Sequence, residues 1–135
     1  MPSEEQRELM TYRVAKAEKT LDVAIKLSQN ISDEEDYATI LNRTYYAIFH
    51  CMRAVLASTG FDSKKHSGII AHFNQHYVKT EIFPKHFYKI ISAAADLRNN
   101  SDYMDYAYFE QEEVDEQIEN AQVFLTFTKS YISGL

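Results

Sequence analysis

Only three glycines and two prolines occur among the 135 residues. A β-rich chain of this size needs many tight turns, and those two residue types supply them. Their scarcity therefore argues for long helices. One cysteine, Cys51, excludes an internal disulfide, and a thiol at helical core spacing is expected to be a small packing residue. No run approaches the roughly 18 apolar residues that a membrane span requires, and the opening MPSEEQRELM lacks the basic-then-apolar pattern of a signal peptide. The expectation from these absences is a cytoplasmic protein with no membrane contact. The length suits one hydrophobic core, so residues 1–135 are read as a single domain.

Basic surface is also in short supply. The net charge is −6 and the isoelectric point is near 5.3, which excludes general, salt-driven binding of nucleic acid. The charge is unevenly spread, however. Residues 60–100 carry six basic and three acidic groups and four of the five histidines, whereas residues 101–135 carry one basic and eight acidic groups. A local basic patch within an acidic protein is compatible with that distribution.

Hydrophobic spacing supplies the elements. Ser3 with Gln6 forms a capping box, and Met10, Val14, Ala17, Leu21 and Ala24 step at helical period behind it. Ser32 with Glu35 predicts a second box, opening a helix to about Ser58 that Gly60 would stop. Its apolar face comprises Tyr37, Leu41, Tyr45, Ile48, Met52 and Val55. Roughly opposite stand Arg43, Tyr46, His50 and Arg53. That row serves either a ligand or partner, or a helix buried against neighbours on two sides. A shorter helix is expected through Ile69, Ile70, Phe73, Tyr77 and Val78. Another, with Pro84 in its first turn, is expected to use Phe83, Phe87, Ile90, Ala94 and Leu97, and the last runs from about Glu110 with Val114, Ile118, Ala121, Leu125 and Ile132 inward. The predicted fold class is all-α: an antiparallel bundle of four long helices plus one short helix.

Several chemistries lack their residues. A di-iron bundle needs Glu-x-x-His pairs, and none of the five histidines has a glutamate three positions before it. His72 and His76 are spaced for one helix face, but two ligands do not make a zinc site, so surface histidines are expected there. No glycine-rich phosphate loop is present. His50 and Cys51, as sequence neighbours on a helix, diverge by about 100° and form no dyad. Neither a metal nor a cofactor is expected.

The segments LNRTYYAIFHCMRAVL, KKHSGIIAHFNQHYVKT and AADLRNNSDYMDY, in that order, resemble the HEPN domain in its small stand-alone prokaryotic form. The markers are Asn42-Arg43 with Tyr45-Tyr46-Ala47, the turn Lys65-His66-Ser67-Gly68, and Arg98 with Asp102-Tyr103. The resemblance implies an HEPN-like bundle, a homodimer, and a toxin–antitoxin-like or defence module in which a minimal nucleotidyltransferase is the partner. Many members are metal-independent ribonucleases with an arginine followed four to six residues later by histidine. A guanidinium can hold a scissile phosphate while imidazole moves protons. Here Arg98 matches the arginine, and Tyr103, Met104 and Asp105 occupy the positions open to histidine. A phenol with an ordinary pKa of about 10 is a poor base at pH 7.

The resemblance therefore favours binding of a nucleotide or RNA phosphate around Arg98, with Asn99, Asp102, Tyr103, Arg43, Tyr46, His50 and His66 as candidate lining residues. Tyr103 and Tyr106 are candidate sites of nucleotide modification. The alternatives are a ribonuclease that pairs Arg98 with a histidine from elsewhere, His50 or His66, and a non-catalytic dimerisation or adaptor module. In that last case Arg98, Asp102 and their neighbours form a structural polar network.

Overall fold

The computed structural model describes residues 1–103 and 108–135, and for Tyr103 the backbone alone. Four long helices carry the fold: α1 (Glu4–Ser28), α2 (Glu35–Ala57), α4 (Phe87–Tyr103) and α5 (Gln111–Ser133). Between α2 and α4 lie a short helix, α3 (His66–Phe73), and a π turn over Asn74–Val78. No strand occurs among the described residues.

α1 starts at the capping box read from the sequence. The Gln6 N–H donates to Ser3 Oγ at 3.1 Å, and the Ser3 N–H donates to Gln6 Oε1 at 2.8 Å. The second box differs from expectation. Ser32 gives its N–H to Asp36 Oδ2 rather than to Glu35, and the Glu35 N–H is taken by Asp33 Oδ1 at 2.7 Å. With three acidic side chains competing for the same orphan amides, the aspartates reach them first. Gly60 ends the α2 segment at φ +78°, and the Phe61 N–H closes back onto the Leu56 carbonyl at 3.2 Å.

Contacts between ends define the topology. Arg13 in α1 donates to the Arg53 carbonyl near the end of α2, and Arg7 donates to the Leu135 carbonyl beyond α5, so α1 runs antiparallel to both. Arg98 near the end of α4 reaches Tyr46 in the middle of α2, and Tyr37 reaches Gln111 at the start of α5. The order is up, down, up, down, with α2 against α1, α3, α4 and α5. Buried on nearly every side from Ile40 to Ala57, α2 is the central helix, and along its Arg43–Tyr46–His50–Arg53 row Arg43 is exposed, Tyr46 and Arg53 are half-buried and His50 is buried. One apolar cluster closes the end of the bundle around Ala24, Ile40, Leu41 and Val114. A larger one fills the rest, where Phe73, Phe83, Phe87 and Phe124 pack at tilted and edge-on angles.

Two further expectations shift. The buried seam of α5 is Val114, Gln117, Ala121, Phe124 and Thr128, with Ile118, Leu125 and Ile132 half-buried at its side. Gln117 and Thr128 are polar, so an apolar pattern alone misplaces the seam by one position. Thr128 is accommodated by donating to the Phe124 carbonyl at 2.8 Å. The short helix continues to Val78 as expected, but not as a regular α-helix throughout. It widens at Asn74, where the Lys79 N–H bonds the Asn74 carbonyl, and the chain then turns through Glu81 at φ +62°. Pro84 stands ahead of α4, in a turn that the Phe87 N–H closes onto the Pro84 carbonyl. Cys51 is fully buried, and burial pushes its thiol up to about 12, so it packs as an inert core group.

Candidate functional site

Three elements converge where α4 crosses the middle of α2. From α2 come Tyr45, which is buried, and Tyr46, which is half-buried. Their rings meet edge-on with centroids 5.1 Å apart. From α4 comes Arg98, just past the apolar stripe of that helix. Its guanidinium carbon lies 5.4 Å from the Tyr45 ring and 5.5 Å from the Tyr46 ring, within cation–π range of both. Nη2 donates to the Tyr46 hydroxyl at 3.3 Å, Nε lies 2.9 Å from Asp102 Oδ2, and Nη1 reaches Asn99 Oδ1 at 3.4 Å. The Arg98 side chain keeps 18% of its surface exposed, so the cation is sheltered but reachable.

From the first residue of α3 comes His66. Its ring lies over Phe49 with centroids 4.2 Å apart and meets Tyr46 edge-on at 5.7 Å. Its Nδ1 is hydrogen-bonded to the Tyr45 hydroxyl at 3.0 Å. The turn that delivers it is tightly fixed. A Cβ on Gly68 would stand 2.5 Å from Ser63 Oγ, so only glycine permits Ser63 to close against α3.

The electrostatics follow from shelter. Burial raises the Tyr45 phenol to about 12, against the opposing pull of Arg98, so it stays protonated. Burial, then the Arg98 and Arg53 charges, hold His66 below its ordinary value, so its imidazole is neutral near pH 7. A fixed cation thus stands beside a neutral imidazole, with two phenols between them. Such a set can hold an anionic oxygen at Arg98 and exchange a proton at His66.

The candidate residues separate accordingly. Arg98, Asn99, Asp102, Tyr46 and His66 come together. Arg43 is exposed on α2 and takes part in none of the described contacts of this cluster. His50, one turn along α2, is 9% exposed, and its Nδ1 has no hydrogen-bond partner among the described residues. Burial first, then Lys16, Arg53, Arg13 and His66, bring it down to about 4. The charges bearing on His50 therefore come largely from the α1 side of the helix. The Tyr103 side chain, Met104, Asp105 and Tyr106 lie outside the described residues. Sequence reasoning missed Tyr45 as a candidate site residue because that residue falls on the apolar face of α2, and assigned no role to Phe49. The adjacent pair Tyr45-Tyr46 was the available signal, since two neighbouring phenols must point to different sides of a helix. Among the described residues, no group of three or more histidine, cysteine, aspartate or glutamate side chains is placed to hold a metal, and no helix is long and apolar enough to cross a membrane.

The HEPN domain family matches residues 10–131, nearly the whole chain. A protein of Methanocaldococcus jannaschii named "putative toxin" is 30% identical over 88% of this chain and 78% of its own length. A Thermotoga maritima protein of the uncharacterised UPF0332 group is 33% identical over 97% of this chain and 96% of its own. A second M. jannaschii protein with the toxin name is 32% identical over 72% of this chain and 69% of its own.

Proposed function

This chain belongs to the HEPN family, and from that premise we propose that it is the HEPN component of a toxin–antitoxin-like or defence module, binding a nucleotide or RNA phosphate at Arg98. A second copy of the chain and a minimal nucleotidyltransferase are its partners in this reading. The toxin names of two relatives support the module. The observation that carries the binding role is the Arg98 guanidinium, laid against two tyrosine faces and still partly open. A planar cation with forked donors is matched to a phosphate, and Asp102 holds it in position until the ligand arrives. Tyr103 and Tyr106 would be the phenols open to nucleotide transfer by the partner enzyme.

A second reading rests on a separate observation, the 3.0 Å bond between His66 and Tyr45. When Nδ1–H is donated to the phenol oxygen, Nε2 presents its lone pair, and the neutral ring can take a proton from a ribose 2′-hydroxyl. The oxygen then attacks the neighbouring phosphorus, the bond to the 5′ oxygen breaks, and water supplies the proton to the leaving group. His66 would thereby stand in for the histidine absent after Arg98.

One experiment addresses both. Purified protein is incubated with single-stranded RNA in EDTA, and binding and cleavage are followed in wild type, Arg98→Ala and His66→Ala. The binding role predicts complex formation that Arg98→Ala weakens at least about tenfold, the loss of one charge-assisted pair. If Arg98→Ala binds like wild type, the binding role is wrong. The nuclease reading predicts metal-independent cleavage abolished by either substitution, and it fails if wild type leaves the RNA intact.

A further inference from the structure

An open groove of about 650 Å³ is lined by Phe49, Arg53, Asp62, Ser63, Lys64 and His66. We propose that this groove is a second phosphate subsite continuous with the Arg98 site, so that the ligand is a single-stranded RNA segment bearing consecutive phosphates rather than a mononucleotide. The inference rests on the Arg98 reading and specifies its ligand.

Continuity comes from shared walls. His66 and Phe49 line the groove, while the same His66 is bonded to Tyr45 and meets Tyr46, the two rings under Arg98. The charges of Arg98, on one site, and Arg53, on the groove, both bear on the His66 ring between them. One wall of the groove is cationic. Asp62 is the one carboxylate there, and it is already engaged: Arg53 Nη2 contacts both its oxygens at 3.1 and 3.2 Å, Arg13 Nη2 lies 3.5 Å away, and the Ser63 N–H donates to it at 2.8 Å. Two guanidiniums on one carboxylate leave a surplus positive charge, and the exposed Lys64 adds another. The floor is aromatic, formed by the His66 ring over Phe49, and offers a base a surface to stack on.

The wall is also preorganised. Ser63 Oγ accepts the Lys65 N–H at 3.2 Å and stands 2.5 Å from where a Gly68 Cβ would be. Arg13 donates to the Arg53 carbonyl at 2.9 Å. A cleft held in this way loses little entropy when a strand settles into it. Cationic wall and aromatic floor together are the chemistry of single-strand recognition, in which charge follows the phosphates and rings accept any base.

The test measures affinity for a labelled oligouridylate with 2′-O-methyl groups, which blocks cleavage, and for uridine monophosphate as competitor. The variants are Lys64→Glu, Arg53→Gln and Arg98→Ala, each checked for an unchanged helical circular-dichroism spectrum. Lys79→Glu, the same charge change just after the π turn, is the control. The expected result is a wild-type preference for the oligonucleotide that shrinks about tenfold in Lys64→Glu and Arg53→Gln, is retained in Lys79→Glu, and is accompanied by weaker binding of both ligands in Arg98→Ala. The groove proposal is overturned, with the Arg98 reading intact, if Lys64→Glu and Arg53→Gln keep the wild-type preference while Arg98→Ala weakens both ligands. If Arg98→Ala binds both ligands like wild type, the Arg98 reading falls, and the continuous two-phosphate site falls with it. A wild-type protein that binds neither ligand overturns both.

Discussion

Arg98 is held from several directions, by Asp102, by Tyr46 and by two ring faces, and each hold has a different sensitivity to substitution. Arg98→Lys keeps the charge but loses the planar fork, so it should retain the Asp102 pair and lose the simultaneous reach to Tyr46. We expect Arg98→Ala to cost about 1 kcal/mol in urea unfolding, with Arg98→Lys recovering part of it, because a partly exposed pair contributes little alone. His50 makes a pH-dependent prediction. Its folded value near 4 lies below the ordinary 6.5, so the unfolded chain binds a proton that the folded chain refuses between those values. Stability is then complete above about pH 6.5 and is lost as pH falls toward 4, by at most about 3 kcal/mol. Melting curves across that window should flatten in His50→Leu, and an unchanged slope would show that other groups dominate. His66 contributes in the same direction because it too is held low. At this scale Arg98 was legible in the sequence, as the arginine after an apolar stripe. Its company was not. Tyr45 and His66 are 21 residues apart, and Tyr46 and Arg98 are 52 apart. Only the crossing of α2, α3 and α4 puts them together, and no spacing rule encodes a crossing.

At the scale of elements, the segment from Phe61 to Lys65 positions both candidate sites, since it closes one wall of the groove and sets the start of α3. Asp62 ties it to α1 through Arg13 and to α2 through Arg53. Burial opposes the Asp62 charge, but the Ser63 N–H and the two arginines outweigh it and hold the carboxyl below its usual range. Asp62→Asn should therefore destabilise the fold by about 1 kcal/mol, a figure kept small because the carboxylate is half exposed. Arg13, only 7% exposed, would then face Arg53 without the charge between them. Amide hydrogen exchange at residues 61–68 is the sharper measurement. Protection should drop there in Asp62→Asn and stay constant in α5; a uniform loss would place the role of Asp62 elsewhere. The long helices were legible because burial on one side leaves a 3.6-residue period. The change to a π turn at Asn74 was not, since it admits an extra residue while the apolar positions Tyr77 and Val78 still face inward. Box-like spacing at Ser32 misled for a related reason: several acidic side chains satisfy the same amides, and sequence does not rank them.

Across the whole molecule, the proposed function has an acidic protein bind a polyanion, and under that proposal this tension sets the salt response. With a net charge of −6, most of the surface repels RNA, and attraction comes from a few cations around α3 and the end of α4. A protein with a broad basic face neutralises many phosphates and loses affinity steeply with salt. If Arg98 and the Arg53–Lys64 wall neutralise two phosphates, the slope of log affinity against log salt should be about −1.4, since a single strand contributes about −0.7 for each phosphate. Lys64→Glu should bring the slope to about −0.7, and Lys79→Glu should leave it near the wild-type value. A slope several times steeper would mean that cations outside these sites carry the binding. A slope near zero with binding intact would mean that stacking on His66 and the tyrosines supplies the affinity. The repulsion from the remaining surface also has a use. It would suppress nonspecific association, so that under the proposed two-phosphate site only a segment able to reach both Arg98 and the groove gains enough to stay bound.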